Sequence, residues 1–404
     1  MEALWAVGGG RFKSADLVTW WWDRAARLLT EPDSVLRRFG FITTNSITQK
    51  FSRRVLEARL NDPARPVRLT FAVPDHPWVK GANRAAVRIA MTVAEAGEAD
   101  GSGRLLTVVE EGELHSDQPV VVMSERQGRI SAGLSLGSDM SRLQPLKANA
   151  ALSSRGVQLM GAGFIVTEAE AAALGLGREP GLEAIIRPYR NGRDLADRPR
   201  GVRVIDLFGW DEADVRREHP AIYQRLLERV KPERDRNNRA AYRDNWWIFG
   251  EPRRELRPAL EGLDRCIVTI ETAKHRWFRF LDAEILPDNK LVVVASDDPF
   301  VLGVLSSSAH RNWFVANSAR IGVYEADAVY VKGDCFDPFP FPDPSAEVRA
   351  RIGALGEEID DLRRDALARH GFLTMTRLYN VRERIAAGRR WARRSRRSMR
   401  PDGC

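Results

Sequence analysis

The chain has 404 residues, of which 44% are hydrophobic and 29% charged, a composition typical of globular proteins and a length that fits two or three domains. No run approaches the roughly 18 apolar residues of a membrane span, and the start shows no signal-peptide pattern, so we expect a cytoplasmic protein. Three cysteines and six histidines are too scattered for a disulfide framework or a metal site.

The formal net charge of +8 is unevenly distributed. Residues 389–404 contain seven arginines and one aspartate, a net +6, so the other residues together carry about +2. This tail has no hydrophobic periodicity and is predicted to be disordered. An argument for nucleic acid therefore has to come from local clusters of charge.

The first predicted element is a helix over residues 15–29 that Ser14 or Asp16 can cap. Its apolar residues recur at helical spacing, which predicts one buried face. That face comprises Leu17, Val18, Trp21, Trp22, Ala25, Leu28 and Leu29.

A short strand with the sequence FGFITTNSI follows at residues 39–47 and ends in small polar residues, as strands do at active sites. A basic helix (50–60) and two strands (67–74 and 85–95) come next. The alternation of helix and strand predicts an α/β unit with a partly parallel sheet. A polar segment at 101–103 ends this alternation of helix and strand.

Residues 103–345 are strand-rich and predict an α+β fold with a basic helical stretch at 220–243. A further helix is predicted at 345–370, begun by Ser345 and ended by Gly371. Its apolar residues are spaced 4, 3, 4 and 3 apart, and we expect this seam to pack on its own domain. The seam is Val348, Ile352, Leu355, Ile359 and Leu362.

Three short motifs imitate known sites. Gly8–Gly10 lacks the strand and the acidic residue of a nucleotide-binding loop, and is interpreted as a flexible loop. Asp337–Phe341 (DPFPF) is similar to the signature of enzymes that methylate base amines, but the intervening aromatic favours an extended linker. Pro287-Asp288 begins a nuclease-like pattern that is not completed, and is interpreted as a turn into a core strand.

Two clusters of basic residues carry more weight. Residues 187–203 hold six arginines against two aspartates around an Asn191-Gly192 turn suited to a hairpin, and residues 225–257 hold ten basic against six acidic residues. Both have a net charge of +4, which fits phosphate neutralisation as well as a salt-bridged surface. Composition alone does not distinguish phosphate binding from a salt-bridged surface.

Long stretches of the chain resemble a known family, the MmeI-like class I DNA adenine methyltransferases, which use S-adenosyl-L-methionine. The resemblance covers about residues 12–385. It begins with ADLVTWWWDRAARLL, FGFITTNSIT and FAVPDHPWVKGANRAAVRIAM. It continues through RPYRNGRDLADRPRGVRVIDLFG, RVKPERDRNNRAAYRDNWWIFGEPRRELRPAL and CFDPFPFPDP.

The resemblance implies the second half of a Rossmann-like methyltransferase sheet, followed by an α+β target-recognition domain and a C-terminal helix. The implied ranges are 1–110, 111–345 and 346–388, with the tail at 389–404. Thr44, Asn45, Pro77 and Trp78 would lie at the active-site rim. The implied contacts to double-stranded DNA are Arg190, Asn191, Arg193, Arg198, Arg200, Lys231, Arg234, Arg236, Arg239, Arg243, Lys274 and His275.

The family's donor-binding glycine loop and its Asn-Pro-Pro-aromatic motif have no counterpart in this sequence. We therefore expect a fragment of a site-specific adenine-N6 methyltransferase of the restriction-modification type, with a separately encoded N-terminal half as partner. Two alternatives remain: a DNA-binding specificity module without activity, and a decayed remnant with an exposed sheet edge.

Overall fold

A computed structural model describes residues 12, 15–78, 87–97, 101–112, 120–136, 143–317, 319–320 and 328–398. The chain divides into two compact units, residues 1–143 and 144–404. Gly8–Gly10 lies outside the described residues. The predicted boundary after residue 110 is wrong, because it would cut a strand of the first unit's sheet.

The first unit is built on a five-stranded sheet, and helices precede and follow its first strand. The strands lie in the order β1-β3-β2-β4-β5. The elements are α1 (Leu17–Leu29), β1 (Arg38–Thr44), a 3-10 helix (Asn45–Thr48), α2 (Lys50–Leu60), β2 (Val67–Pro77), β3 (Arg88–Ala96), β4 (Gly103–Gly112) and β5 (Val120–Gly128).

The direction of the strands confirms the partly parallel sheet. β3 runs antiparallel to both β1 and β2, so β1 and β2 point the same way. β2 and β4 pair in parallel, and β5 is antiparallel to β4. In the described part of the chain, β1 pairs with β3 alone and therefore forms an edge of the sheet.

Helix α1 covers the sheet with a different face from the predicted one. Thr19, Trp22, Asp23, Ala26 and Leu29 are its buried residues, and the Trp22 indole donates to Thr92 Oγ1 over 3.2 Å. Three apolar residues of the predicted face are exposed, since the helix is apolar over more than the stripe that the sheet covers. These are Leu17 (41%), Trp21 (54%) and Leu28 (38%).

The second unit contains two four-stranded sheets with helices around them. One has the order β11-β10-β13-β6 and the other β12-β8-β9-β7. Its strands are β6 (Ser153–Arg155), β7 (Ile165–Thr167), β8 (Ile186–Arg190), β9 (Val202–Ile205), β10 (Arg265–Ile270), β11 (Arg279–Asp282), β12 (Leu286–Pro287), β13 (Leu291–Val294), β14 (Ala319–Arg320) and β15 (Ala328–Val329), of which the last two form a separate pair.

The helices of this unit are short except for the last two. They are α3 (Glu168–Ala173), α4 (Leu182–Ile185), α5 (Gly192–Ala196), α6 (Glu212–Glu218), α7 (Pro220–Arg229), α8 (Lys231–Asp235), α9 (Ala240–Asp244), α10 (Leu256–Leu260), α11 (Pro299–Leu305), α12 (Ser308–Asn317), α13 (Lys332–Cys335), α14 (Ala346–Arg369) and α15 (Met375–Ser398), with 3-10 helices at Lys147–Asn149 and Ala162–Phe164.

Glycines decide which face of α14 is buried. A Cβ on Gly356 would overlap the Pro299 carbonyl, and one on Gly303 of α11 would stand 2.6 Å from the Ile352 carbonyl oxygen. The two helices therefore pack through these glycines. The predicted packing of the apolar seam on its own domain is contradicted in part: Ile352 packs against the cluster around Phe300 and Phe339, but Val348, Leu355 and Leu362 are 47%, 56% and 61% exposed.

Other predictions had different outcomes. The turn at Pro287-Asp288 is confirmed, since it leads into the fully buried strand β13. The linker interpretation of Asp337–Phe341 is wrong, because Phe339 is buried and the Asn149 amide donates to the carbonyls of Phe336, Asp337 and Phe339. Residues 389–398, predicted as disordered, continue α15.

No described helix is both long and apolar enough to cross a membrane.

Candidate functional site

A group of polar side chains lies at one edge of the first unit's sheet. β1, β2 and β4 end at this edge and β3 begins there, because β1, β2 and β4 run parallel to one another and antiparallel to β3. Thr44 and His76 both pair with Ile89, so the ends of β1 and β2 lie beside the same residue of β3. Ligand sites of open α/β sheets form outside such carboxyl ends.

The polar groups at this edge form a connected network. Asn45 donates through its amide to Asp75 Oδ1 over 2.8 Å, and Arg88 Nε donates to the same oxygen over 3.0 Å. Arg88 Nη1 lies 2.7 Å from Glu111 Oε1 at the end of β4. The guanidinium of Arg88 therefore ties the ends of three strands together.

Asp75 has a left-handed backbone, with φ of 56°. It sits where β2 slips in register against β3, between Val73 and His76. A bulge of this kind redirects a side chain, and here the carboxylate reaches Asn45 and Arg88. Non-glycine residues rarely adopt the left-handed region, and doing so costs of order 1–3 kcal/mol. The hydrogen bonds of the Asp75 carboxylate with Asn45 and Arg88 offset this cost.

A second group of polar side chains joins the end of β1 to the start of α1. Ser46 Oγ donates to Asp16 Oδ2 over 2.6 Å and lies 2.6 Å from Thr44 Oγ1. Asp16 is the N-terminal cap residue of α1, as predicted, but its carboxylate bonds Ser46 and makes no capping bond.

The predicted rim residues all lie at this edge. Thr44 is exposed, Asn45 is half-buried, and Pro77 ends β2. Trp78 follows with 51% of its surface exposed. The sequence interpretation missed Asp16, Asp75, Arg88 and Glu111; the dense Pro-Asp-His-Pro at 74–77 was the signal for an interruption of the strand.

Seven of the twelve predicted DNA contacts are accessible and free of carboxylate partners in the described part of the chain. Arg193, Arg198 and Arg236 are exposed and make no described side-chain bond. Four others donate to a neutral group, namely Arg190 (Tyr189 O), Arg239 (Tyr242 Oη), Arg243 (Asn237 O) and Lys274 (Asn380 Oδ1).

Asn191 and Arg200 have structural roles. Asn191 caps α5 through a capping box: its Oδ1 accepts from the Asp194 backbone N–H over 3.1 Å, and its own backbone N–H donates to Asp194 Oδ2 over 2.9 Å. The predicted hairpin is therefore wrong. Arg200 binds both oxygens of buried Asp194 over 2.9 Å. Although burial alone raises the pKa of Asp194, its bonds with Arg200 and the Asn191 backbone lower it overall.

Arg234 is a structural residue, and its prediction as a DNA contact is wrong. The residue is 1% exposed. Its guanidinium donates to the carbonyls of Leu159 (2.8 Å), Ile248 (2.9 Å) and Tyr242 (3.3 Å). It also lies over the Phe164 and Tyr242 rings, and burial lowers its pKa. Arg236, Arg239 and Arg243 do not share the face of one helix, because α8 ends at Asp235 and α9 begins at Ala240.

Lys231 and His275 are engaged as well. Lys231 Nζ lies 2.8 Å from Asp235 Oδ1. His275 is 8% exposed, so its assignment as a DNA contact is wrong. Its ring stacks on Tyr379, with Nε2 2.8 Å from Asn380 Oδ1 and Nδ1 3.2 Å from Glu383 Oε1. Among the described residues no three His, Cys, Asp or Glu side chains gather as metal ligands.

Comparison with known proteins gives two informative likenesses. No family model matches the chain. It is 28% identical over 120 residues to the type II methyltransferase M.MjaIV of Methanocaldococcus jannaschii. The aligned segment covers 28% of this chain and 39% of that relative. The solved structure of the type IIL restriction-modification enzyme MmeI in complex with DNA superposes with a TM-score of 0.65 at 18% identity.

That superposition covers 92% of this chain and 47% of the MmeI chain. The chain thus spans less than half of the length of either relative. The resemblance predicted from the sequence is confirmed in these two respects: the chain has the mixed α/β fold of MmeI and local sequence similarity to a type II methyltransferase.

Proposed function

We propose that this chain supplies part of the catalytic sheet and the target-recognition region of a DNA methyltransferase that modifies adenine at N6. The observation that carries the proposal is the fold likeness over 92% of the chain to MmeI, an enzyme whose structure was solved with DNA. The methyl donor would be S-adenosyl-L-methionine, and adenine as the target rests on the family resemblance.

The first unit would contribute one wall of the active site. The carboxyl ends of β1 and β2 meet there, and Trp78 offers a half-exposed ring to a base drawn out of the duplex. The donor-binding strands would pair along the open edge of β1, because an unpaired strand in the middle of a functional sheet leaves its backbone groups unsatisfied. A separately encoded half is one source of those strands.

The second unit would bind the duplex through its free cations. Arg193, Arg198 and Arg236 carry charge that no described carboxylate neutralises, whereas Arg200 and Lys231 are paired. Unpaired arginines of this kind neutralise DNA phosphates and displace their counterions, which makes the affinity for DNA depend on salt concentration.

Duplex binding tests this proposal. With a labelled duplex and the full chain, we expect the affinity to fall steeply between about 50 and 200 mM salt. A plot of the logarithm of the binding constant against the logarithm of the salt concentration should fall with a slope of about 0.9 for each phosphate contact. Changing Arg193, Arg198 or Arg236 singly to Gln should reduce that slope by about one unit each. Arg351→Gln, an exposed arginine of α14, is the control. A duplex affinity independent of salt, or none, would refute the proposal.

A second candidate is a DNA-binding specificity module without activity. The polar network at the sheet edge favours this candidate, because its side chains are engaged with one another instead of with a substrate. These residues are Asn45, Asp75, Arg88 and Glu111. Calorimetric titration of S-adenosyl-L-methionine into the chain addresses the donor site. We expect no saturable heat; saturable binding would show that the donor pocket does not need strands beyond β1.

A further inference from the structure

A cavity of about 260 Å³ opens in the second unit where the turn between α11 and α12 faces α14 and α15. Four arginines line it: Arg276, Arg311, Arg363 and Arg382. No described carboxylate lines it. None of the residues that the sequence predicts as DNA contacts lines this cavity.

Two of the four guanidiniums are held in place by neutral partners. Arg363 is 6% exposed and donates to the Phe278 carbonyl over 2.6 Å and to the Tyr379 hydroxyl. Arg276 donates to the Thr269 hydroxyl over 2.9 Å and to the Ile270 carbonyl, and lies over the Phe314 ring. Burial lowers the pKa of Arg276 to about 10, so its charge persists at neutral pH.

The other two guanidiniums are available to a ligand. Arg311 on α12 and Arg382 on α15 are exposed and have no described carboxylate partner. Arg382 lies over the Tyr379 ring, 5.7 Å from its centroid. Arginines of this kind bind phosphate oxygens through paired N–H groups.

The start of helix α12 also faces the cavity. Ser306, Ser307 and Ser308 lead into the first turn of the ten-residue helix α12 and all line the cavity. The amino end of a helix also favours an anion.

The remaining walls are apolar. Leu305, Ile359 and Leu378 face the cavity together with the Tyr379 ring. A small anion such as chloride would make no contact with these apolar walls, whereas the base or sugar of a nucleotide would cover them. The volume is close to the lower end of small-molecule sites, about 300 Å³, which suits a single nucleotide.

We propose that this cavity binds the phosphate of a nucleotide, with Arg311 and Arg382 as the ligand-facing cations. The phosphate comes from a free mononucleotide or from the backbone of bound duplex, and the second source rests on the function proposed above.

The test compares two double variants of the full chain with equal loss of charge. Arg311→Gln with Arg382→Gln removes the cavity's accessible cations. Arg351→Gln with Arg384→Gln removes two exposed arginines of α14 and α15 that do not line it. Each is titrated with inorganic phosphate and adenosine monophosphate by calorimetry, and with a labelled duplex by anisotropy.

We expect the cavity variant to bind adenosine monophosphate at least tenfold more weakly than wild type, with the control variant within twofold. A free nucleotide is then the ligand. If the mononucleotide gives no heat but the cavity variant alone loses about two units of the duplex salt slope, the phosphate belongs to DNA. Equal behaviour of both double variants toward every probe, or no binding of any probe, overturns the inference.

These outcomes separate this inference from the proposed function. Arginine-dependent binding of the mononucleotide by a chain that ignores duplex supports the cavity and refutes DNA binding. Duplex binding that both double variants retain equally, without nucleotide binding, refutes the cavity and leaves DNA binding intact.

Discussion

Arg234 carries a charge into the interior of the second unit, where three backbone carbonyls depend on it. Replacing it with Met would leave those carbonyls without a donor, each at a cost of about 1–3 kcal/mol. We predict a loss of about 3–5 kcal/mol in the free energy of unfolding for Arg234→Met, measured by urea denaturation. Arg236→Met, two residues away and exposed, should change stability little; equal losses would contradict the structural role.

Sequence reasoning placed Arg234 and Arg236 in one class because a count of charges contains no information on burial. What separates them is the position of the carbonyls of Leu159 and Ile248, which tertiary folding brings to Arg234 from 75 and 14 residues away. The same holds for Asp75, whose role depends on a bulge and on Asn45, 30 residues away. Thr44 and Asn45 lie at the end of a strand that the sequence pattern predicts, whereas Pro77 and Trp78 lie beyond the predicted strand 67–74, because β2 continues past its bulge to Pro77. The place of these four residues at an active-site rim stays a prediction.

His310 makes the second unit sensitive to acid. It is fully buried, with Nδ1 3.1 Å from the Leu305 carbonyl oxygen and Nε2 3.1 Å from the Tyr330 hydroxyl. Burial lowers its pKa from 6.5 to about 4. Between these values the unfolded chain binds more protons than the folded one, so stability present above pH 6.5 is lost as the pH falls toward 4.

The loss between pH 7.5 and pH 5.0 amounts to about 2 kcal/mol for this group. We predict that His310→Gln, whatever its effect at pH 7.5, shows a decrease over this range that is smaller than that of wild type by about this amount. Urea denaturation at the two pH values measures it. His370→Gln removes an exposed histidine and should leave the decrease unchanged; an unchanged decrease in His310→Gln would contradict the assignment.

At the scale of elements, α14 and α11 pack through glycine. Gly356→Ala would drive a Cβ into the Pro299 carbonyl, and overpacking of this kind costs about 1–3 kcal/mol. Gly353→Ala, one turn earlier on the same helix, places its Cβ 3.5 Å from the Phe300 nitrogen, an ordinary contact. Since Ala favours helix over Gly by about 1 kcal/mol, we predict a lower melting temperature for the first variant and an unchanged or higher one for the second.

Periodicity and caps predicted the bounds of helices α14 and α1, but they did not predict which face of each helix is buried. Helix α14 begins at Ala346, and Ser345 accepts a bond from the Val348 amide as predicted. Val348, Leu355 and Leu362 stay exposed because α14 meets α11 through the face that carries Gly356, where the two backbones approach closely and make extensive van der Waals contact. Helix α1 likewise extends from Leu17 to Leu29, but its sequence offers more apolar surface than one sheet can cover.

At the scale of the molecule, the first unit has an open side. β1 is a sheet edge in the described residues, and Ile42 on this strand is 59% exposed. Trp21 and Leu28 of α1 are exposed as well. Natural sheets protect their edges with charge, proline or a covering element, and β1 has charge only at its first residue, Arg38. An edge of this kind is suited to further strands, which the proposed donor-binding half would supply.

This leads to a prediction about association. Without those strands the chain should self-associate through β1, and Ile42→Lys should lower the association measured by sedimentation velocity, because a charge at an edge opposes pairing between copies. Val109→Lys is the matched control: Val109 is 61% exposed but lies on β4, which stands between β2 and β5 in the sheet and is not an edge strand. If both variants lower association equally, exposed apolar area is responsible and the edge is not. If a strand-supplying half is added, it should displace the self-association of wild type, and a chain that remains associated would show that β1 is not its binding edge.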